Sequence, residues 1–172
     1  EVIRNCIAKV AGNFTTNRML NDYIEKYYNK LGERTGELSK DNYSKAREIA
    51  LWKKRVKNEW PFIEVVSYHK PDNSKQDISL GEEYGASVTL SIGDLSPEEI
   101  GVEMLVAVNG DKGDPHIVKT IEFRLDDYNS GLAKYSCNIL AETSGAFSLA
   151  GRVYAKNSDL PHRQDFDLVK WL

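Results

Sequence analysis

The chain has 172 residues, of which 41% are hydrophobic and 28% charged, so its composition is that of a globular protein and not of a disordered segment. This length suits one domain of ordinary size, or a small β domain preceded by helices. The net charge is −3 and no apolar run reaches the length of a membrane span, so neither nucleic acid nor a membrane is expected as a partner.

The first part of the chain has the periodicity of helices, about three in number. Residues 2–11 form an apolar stripe at helical spacing that ends at Gly12, and Thr15 or Thr16 can then cap a second helix. Gly32 is expected to end that helix, with a polar turn over 32–39. A third helix is predicted over 42–58, and it closes before Pro61, because the residue that precedes a proline disfavours the helical region.

From Phe62 onwards the apolar period changes to that of a strand. Alternation predicts strands over 62–66, 84–92, 102–108, 117–125, 132–140 and 146–154, and residues 168–172 are expected to form a final edge strand. Asn109 and Gly110 form a dipeptide that strongly favours a hairpin turn. Six or seven short strands at about ten-residue spacing are typical of an antiparallel β-sandwich of immunoglobulin-like size.

The predicted fold class is therefore α+β, with N-terminal helices followed by an antiparallel immunoglobulin-like β-sandwich. We expect a helical segment over 1–60 and a sandwich domain over 61–172. The first helix has little to pack on within this sequence, so its apolar face is expected to be buried by a domain outside it. Since the chain opens directly in a helical pattern at Glu1, it has the character of an excised fragment, although a processed N-terminus would look the same.

Charge follows the same division of the chain. Residues 1–60 carry 13 Lys and Arg against 8 Asp and Glu, a balance of +5, whereas residues 61–172 carry 10 against 18, a balance of −8. Two interpretations stay open: basic helices that lie on an acidic partner surface, or two solvated faces of opposite sign. The two cysteines, Cys6 and Cys137, are too few for a disulfide framework, which predicts a reducing, cytoplasmic setting.

The sequence contains no recognisable catalytic, cofactor-binding or metal-binding site. It lacks a phosphate-binding glycine loop and a G-x-S-x-G nucleophile motif. His69, His116 and His162 lie singly in predicted turns, and the segment 111–114 has too few carboxylates to hold calcium. Neighbouring residues on a strand point to opposite faces, so the carboxylate pairs are interpreted as surface charge; these are 82–83, 98–99 and 126–127.

The aromatic side chains leave two interpretations open. Those in the helical part recur at helical spacing, which favours core packing or docking. Four tyrosines of the predicted sandwich could instead line a groove for a sugar chain, because a planar ring covers the apolar face of a pyranose. They are Tyr68, Tyr84, Tyr128 and Tyr154.

Short motifs follow one another in order through nearly the whole chain. The first are Val2-Ile3-Arg4-Asn5, Phe14-Thr15-Thr16-Asn17-Arg18-Met19 and Tyr23-Ile24-Glu25-Lys26-Tyr27-Tyr28. The next motifs are Trp52-Lys53, Trp60 and Leu95-Ser96-Pro97-Glu98-Glu99-Ile100-Gly101-Val102-Glu103. The last are Arg152-Val153, Asn157-Ser158-Asp159-Leu160-Pro161-His162 and Leu168-Val169-Lys170-Trp171. Their order and spacing resemble the C-terminal end of α-glucan phosphorylases of the long bacterial and archaeal type.

The resemblance implies that this is a fragment of a glycosyltransferase. The parent would transfer the terminal glucose of an α-1,4-glucan to phosphate, giving glucose 1-phosphate, with pyridoxal phosphate as its cofactor. The glycine-rich, lysine-bearing stretch that holds this cofactor in the family is absent here, so no lysine of this chain is assigned a Schiff-base role. The fragment alone is expected to bind no cofactor and to have no turnover.

The resemblance also implies candidate contact residues. Phe14, Arg18 and Tyr23 match the tail motif of the helix that packs on the catalytic lobes, so they are candidates for docking on the upstream catalytic domain. Tyr84, Tyr128 and Tyr154 are candidates for contact with α-glucan. A function of another class stays open, namely a non-catalytic carbohydrate-binding or protein-interaction β-sandwich module.

Overall fold

Helical residues precede the strands, as the sequence predicts. The structure, a computed structural model, describes residues 1–71, 81–109, 114–142 and 147–172. The chain divides into two compact units, Glu1–Leu51 and Trp52–Leu172. The α+β class is confirmed at this level, whereas the number of helices and the immunoglobulin-like class stay predictions.

The first unit is helical. Helix α1 (Val2–Asn5) continues into wider, π-type turns over Cys6–Ala11, and α2 (Thr16–Tyr23) continues into a second π-type segment over Ile24–Tyr28. Helix α3 spans Asn29–Glu59 and ends in the second unit. Thr15 caps α2, because its side-chain oxygen accepts a hydrogen bond of 3.2 Å from the backbone N–H of Arg18. Within the described residues, no helix combines the length and the apolar character that crossing a membrane requires.

The predicted helix end at Gly32 is wrong. Helix α3 passes through Gly32 and through the whole predicted turn at 32–39, and its backbone leaves helical geometry only at residues 40–43. Asp41, Asn42 and Tyr43 there have φ values of 48°, 53° and 61°, so a left-handed break divides α3 into two helical stretches. A glycine inside a helix costs only about 1 kcal/mol, so Gly32 by itself does not end one.

The described residues of the second unit form two antiparallel, four-stranded sheets. Sheet 1 has the order β1-β2-β6-β5 and sheet 2 the order β4-β3-β7-β8. The strands are β1 (Glu64–His69), β2 (Glu83–Ser91), β3 (Ile100–Asn109), β4 (Pro115–Glu122), β5 (Arg124–Asn129), β6 (Leu132–Leu140), β7 (Phe147–Ala155) and β8 (Val169–Trp171).

One core joins the two sheets. Val88 and Leu90 of β2 and Met104 and Val153 of sheet 2 are almost fully buried and belong to the same apolar cluster. Burial alternates along β2 and β6, as the two-residue period of the sequence predicts, whereas residues 100–107 of β3 are buried on both faces. The end of α3 and the short 3-10 turn after it (Trp60–Phe62) also contribute to this core, because Val56 and Trp60 lie in the same cluster.

The predicted strand over 117–125 is in fact two strands in different sheets. Strand β4 pairs with β3 in sheet 2, and β5 pairs with β6 in sheet 1. Between them Phe123 is buried, and its backbone N–H donates to the carbonyl of Val102 at 2.8 Å. The apolar period continues across this change of sheet because Phe123 must face the same core, which is why the sequence pattern conceals the break.

Two hairpins show what the local sequence specifies. Strands β3 and β4 pair antiparallel on either side of the predicted Asn109-Gly110 turn, and residues 110–113 lie outside the described residues. Strands β5 and β6 are joined by Ser130 and Gly131, with φ values of 51° and 80°. Two consecutive positive φ values give a tight hairpin turn whose twist matches that of the strands.

We expect the two cysteines to differ in reactivity. Cys6 is exposed, Cys137 is buried in β6, and burial raises the pKa of the Cys137 thiol to about 11. Because the thiolate is the reactive form, a disulfide reagent at neutral pH should modify Cys6 in the folded chain and Cys137 only after unfolding. Equal rates for both thiols in the folded chain would contradict this.

Candidate functional site

The helical unit exposes its apolar side chains. None of residues 1–51 is buried, and Val2 and Phe14 have 80% and 75% of their surface exposed. Amphipathic helices derive most of their stability from packing their apolar stripe, so these helices need a partner surface. The exposed apolar residues of this unit include Val2, Ile3, Ile7, Val10, Phe14, Met19, Leu20, Tyr23, Ile24, Tyr27, Tyr28 and Leu31.

The three predicted docking residues lie at the surface, around α2. The Arg18 guanidinium carbon lies 5.6 Å from the centre of the Phe14 ring, and its Nη1 is 3.1 Å from Oδ2 of Asp22. Tyr23 packs on Tyr27, with ring centres 5.9 Å apart. The structure thus brings Phe14 and Arg18 together, and the carboxylate that pairs with Arg18 belongs to its own helix. A docking role for these residues stays a prediction.

The tyrosines predicted to contact glucan occupy different places. Tyr84 is 8% exposed on the inner side of sheet 1, and its hydroxyl donates to Glu82 at 2.9 Å. Tyr128 lies on the edge strand β5, about 20 Å from Tyr84 along β6, since six residues separate their partners there. Tyr154 covers the outer face of sheet 2, and Tyr68 is half-buried against the core. They do not form one groove, and their role as contacts stays a prediction.

The outer face of sheet 2 carries a buried ionic cluster. Glu103 on β3 is 3% exposed and binds Arg152 of β7 through one carboxylate oxygen and Arg163 through the other. The two arginines stack on rings in turn, Arg152 on Trp171 and Arg163 on Tyr154. Because a buried carboxylate needs such partners, this cluster is a structural feature of the sheet and holds the segment around Arg163 against it.

A cleft of about 750 Å³ opens between three segments of the second unit. The end of α3, the connection from β2 to β3 and the residues that follow β7 each form one wall. The lining residues are Trp52, Arg55, Asp94, Ser96, Glu98, Glu99, Lys156, Asn157 and Ser158. They combine one aromatic ring with charged, amide and hydroxyl groups. Sequence reasoning missed this cleft because its walls come from separate segments, residues 52–55, 94–99 and 156–158, that are distant along the chain.

Glu99 ties the three walls together. Its carboxylate binds the Arg55 guanidinium in a two-point contact and accepts a hydrogen bond of 2.9 Å from the backbone N–H of Ser96. Its backbone carbonyl accepts from the N–H of Lys156 at 2.8 Å. Ser96 and Glu99 also form a capping box around a short turn, Pro97–Glu99. The interpretation of residues 98–99 as surface charge thus holds for Glu98 but is wrong for Glu99. The Ser96-x-x-Glu99 spacing is the sequence signal that indicates this capping box.

Glu99 should make stability depend on pH at the acid end. Burial raises the pKa of Glu99, but hydrogen bonds from Arg55, Ser96 and Trp52 and the charge of Arg55 outweigh it, so the pKa lies below its ordinary value of 4.5. The stabilisation is therefore present above this value and is lost as the pH falls through the lowered pKa. We expect Glu99→Gln to cost about 1 kcal/mol at neutral pH and less in acid, because Arg55 is half-exposed. Urea unfolding at both pH values measures this, and a cost that does not change with pH would contradict it.

The remaining predicted features lie apart from the cleft. His69, His116 and His162 are exposed, and the His162 side chain accepts a hydrogen bond from the backbone of Gln164. Among the described residues, no three His, Cys, Asp or Glu side chains come close enough together to hold a metal ion. Residues 111–113 of the segment weighed as a calcium loop lie outside the described residues.

The chain is similar to phosphorylases over most of its length. Maltodextrin phosphorylase of Thermococcus litoralis is 27% identical over 174 residues, which cover 99% of this chain and 20% of that protein. Glycogen phosphorylase of Mycobacterium tuberculosis is 24% identical over 103 residues, which cover 60% of this chain and 12% of that protein. The chain thus spans about a fifth or less of the length of these relatives.

A family model supplies the decisive comparison. The model described as the glycogen phosphorylase C-terminal domain matches residues 60–172, which include every strand of both sheets and the cleft except its α3 wall. This match covers more than half of the sequence. The chain therefore belongs to the glycogen phosphorylase C-terminal domain family.

Proposed function

We propose that this chain is the C-terminal part of an α-glucan phosphorylase, whose whole protein cleaves α-1,4-glucans with phosphate to give glucose 1-phosphate in the cytoplasm. Residues 1–60 brace the upstream catalytic domain, and residues 61–172 form an accessory domain without an active site. The family match and the similarity to the longer maltodextrin and glycogen phosphorylases support this proposal.

The observation that carries the bracing role is the exposed apolar surface of the helical unit. Side chains such as Ile3, Ile7 and Phe14 face water, although each would gain about 1.5–3 kcal/mol from burial. The partner we propose is the part of the same polypeptide that precedes Glu1, because the matched relatives are several times longer than this chain. Phe14, Arg18 and Tyr23 would lie at this contact.

We also propose an immunoglobulin-like class for the second unit. The orders β1-β2-β6-β5 and β4-β3-β7-β8 correspond to two antiparallel sheets linked by Greek-key connections, with a shared core between them. This class suits a module that is added to a catalytic domain, although fold alone does not specify function.

Four lysines of the second unit already have partners that do not suit a pyridoxal phosphate site, and the cofactor of the proposed enzyme would be held upstream. A Schiff-base lysine needs a lowered pKa. Hydrogen bonding to Glu122 instead raises the pKa of Lys156. Lys53, Lys70 and Lys170 donate to backbone carbonyl groups within the second unit. No catalytic step is therefore assigned to this chain.

The first test is the coding sequence upstream of Glu1, followed by expression of the longer protein. A continuous reading frame with a glycine-rich, lysine-bearing stretch supports the proposal, and a start codon directly before Glu1 contradicts it. In the longer protein, Ile7→Asp should lower phosphorolysis about tenfold or more, because an unpaired charge at a buried contact is costly. Lys9→Asp, on the same helical segment, is the matched control. Detectable phosphorolysis by residues 1–172 alone would overturn the assignment of roles.

A further inference from the structure

We propose that the cleft between α3, the β2–β3 connection and the end of β7 is a non-catalytic binding site for an α-1,4-linked glucan chain. This inference rests on the proposed function for the identity of the sugar, but its geometry stands on the second unit alone. The site differs from the tyrosine groove expected from the sequence, because none of Tyr84, Tyr128 and Tyr154 lines it.

The chemistry of the walls favours a neutral, hydroxyl-rich ligand. Trp52 supplies a ring for the apolar face of a pyranose, and Asp94, Glu98 and Asn157 supply acceptors for hydroxyl groups. The charged lining residues are two cations, Arg55 and Lys156, and three carboxylates, those of Asp94, Glu98 and Glu99, which gives a formal balance of −1. This balance disfavours phosphate esters and other polyanions. The charged, hydroxyl and amide groups of these walls also make a purely apolar ligand a poor fit, because their hydrogen bonds to water would be lost without replacement.

The walls are held in place before any ligand arrives. The Trp52 ring packs on Phe166 with centres 5.2 Å apart, and Lys53 donates to the carbonyl of Asp165 at 2.7 Å. Arg55 is held by Glu99, and Lys156 forms an ion pair with Glu122. Side chains that are already fixed lose little conformational entropy on binding, so a site that is open to solvent can still be selective.

The size of the cleft agrees with an oligosaccharide. Its volume of about 750 Å³ lies within the ~300–1,000 Å³ range of small-molecule sites. The cleft is open to solvent, and several residues that line it are themselves exposed, such as Asp94, Glu98 and Ser158. An open trough admits a segment within a long polymer, whereas an enclosed pocket admits only a chain end. A site of this kind would keep the accessory domain on a polymer while the reaction proceeds elsewhere.

The test is a titration of the 172-residue chain with maltoheptaose, followed by NMR. We expect saturable shifts of the Trp52 indole N–H and of amides at 94–99 and 156–158, and no response to cellohexaose, whose β-1,4 linkage gives a straighter chain. Asp94→Ala should weaken binding at least about fivefold, because it removes a charged hydrogen-bond acceptor. Asp114→Ala, an exposed aspartate at the start of sheet 2 and outside the cleft, should change nothing.

Further variants guard against indirect effects. Trp52→Leu should abolish binding, and Tyr128→Ala is the control for an exposed ring elsewhere. Trp52 also packs on Phe166, so Trp52→Leu could unfold the chain. In that case binding is tested with Asp94→Ala and with Ser158→Trp, whose large side chain should block the cleft and prevent binding. No saturation at the solubility limit of maltoheptaose, equal binding of cellohexaose, or shifts centred on Tyr128 or Tyr154 would each overturn the proposal.

The two proposals fail separately. If the longer protein is a phosphorylase but the cleft does not bind maltoheptaose, only the glucan site is wrong. If the cleft binds maltoheptaose but no phosphorylase sequence precedes Glu1, the chain is a carbohydrate-binding module and the phosphorylase assignment is wrong.

Discussion

A chain shortened to residues 61–172 is expected to be largely unfolded in water, whereas residues 52–172 fold cooperatively. The shortened chain lacks Val56 and Trp60, which are 0% and 7% exposed and belong to the core of the two sheets. Losing a buried tryptophan side chain costs about 3–5 kcal/mol and losing a buried valine about 2 kcal/mol. Together these losses approach the whole stability of an ordinary domain, about 5–15 kcal/mol.

Urea unfolding followed by circular dichroism compares the two lengths. Trp60→Ala in the 172-residue chain measures the contribution of the Trp60 side chain alone and should lower the free energy of unfolding by about 3–5 kcal/mol. Lys57→Ala, at an exposed position near the end of α3, is its control. Equal urea midpoints for 52–172 and 61–172 would instead support the boundary at residue 60 that the sequence predicts.

Glu103→Ala is expected to lower the free energy of unfolding by about 3 kcal/mol. The substitution leaves Arg152 and Arg163 without their shared carboxylate, and the Arg152 side chain is only 20% exposed. Removing one partner of a buried ion pair costs about 3–5 kcal/mol, mainly because the other charge stays buried and unpaired. We expect a cost at the lower end of this range because Arg163 is half-exposed and can turn towards water.

Glu122→Ala is a closely matched control for this prediction. Glu122 lies directly opposite Glu103 across β3 and β4, but it and its partner Lys156 are each about half exposed. An exposed pair of this kind contributes at most about 1 kcal/mol. Glu103→Leu combined with Arg152→Met should recover much of the loss, since apolar replacement of a buried pair is often neutral. Equal costs for Glu103→Ala and Glu122→Ala would show that burial of Glu103 has no energetic consequence.

The core of the second unit could largely be predicted from sequence, whereas the cleft could not. Val88 and Leu90 alternate with polar neighbours, so their burial follows from the two-residue period of a strand. Arg55 and Glu99 are 44 residues apart in the sequence, and no local pattern indicates that they meet. A charged residue is equally compatible with solvent and with a distant partner, so its role depends on what the fold brings near it.

The sequence by itself determined the order of helices before strands, the inward-facing positions of the sheets and the family of the chain. These follow from periodicity and from the spacing of short motifs, both of which are properties of neighbouring residues. Only the tertiary structure decided that residues 117–125 divide between two sheets and that Glu103 lies between two arginines. It also decided that Trp60 belongs to the core of the second unit. Each of these depends on contacts between distant segments, whose free energy of burial and pairing outweighs the local preference of the chain.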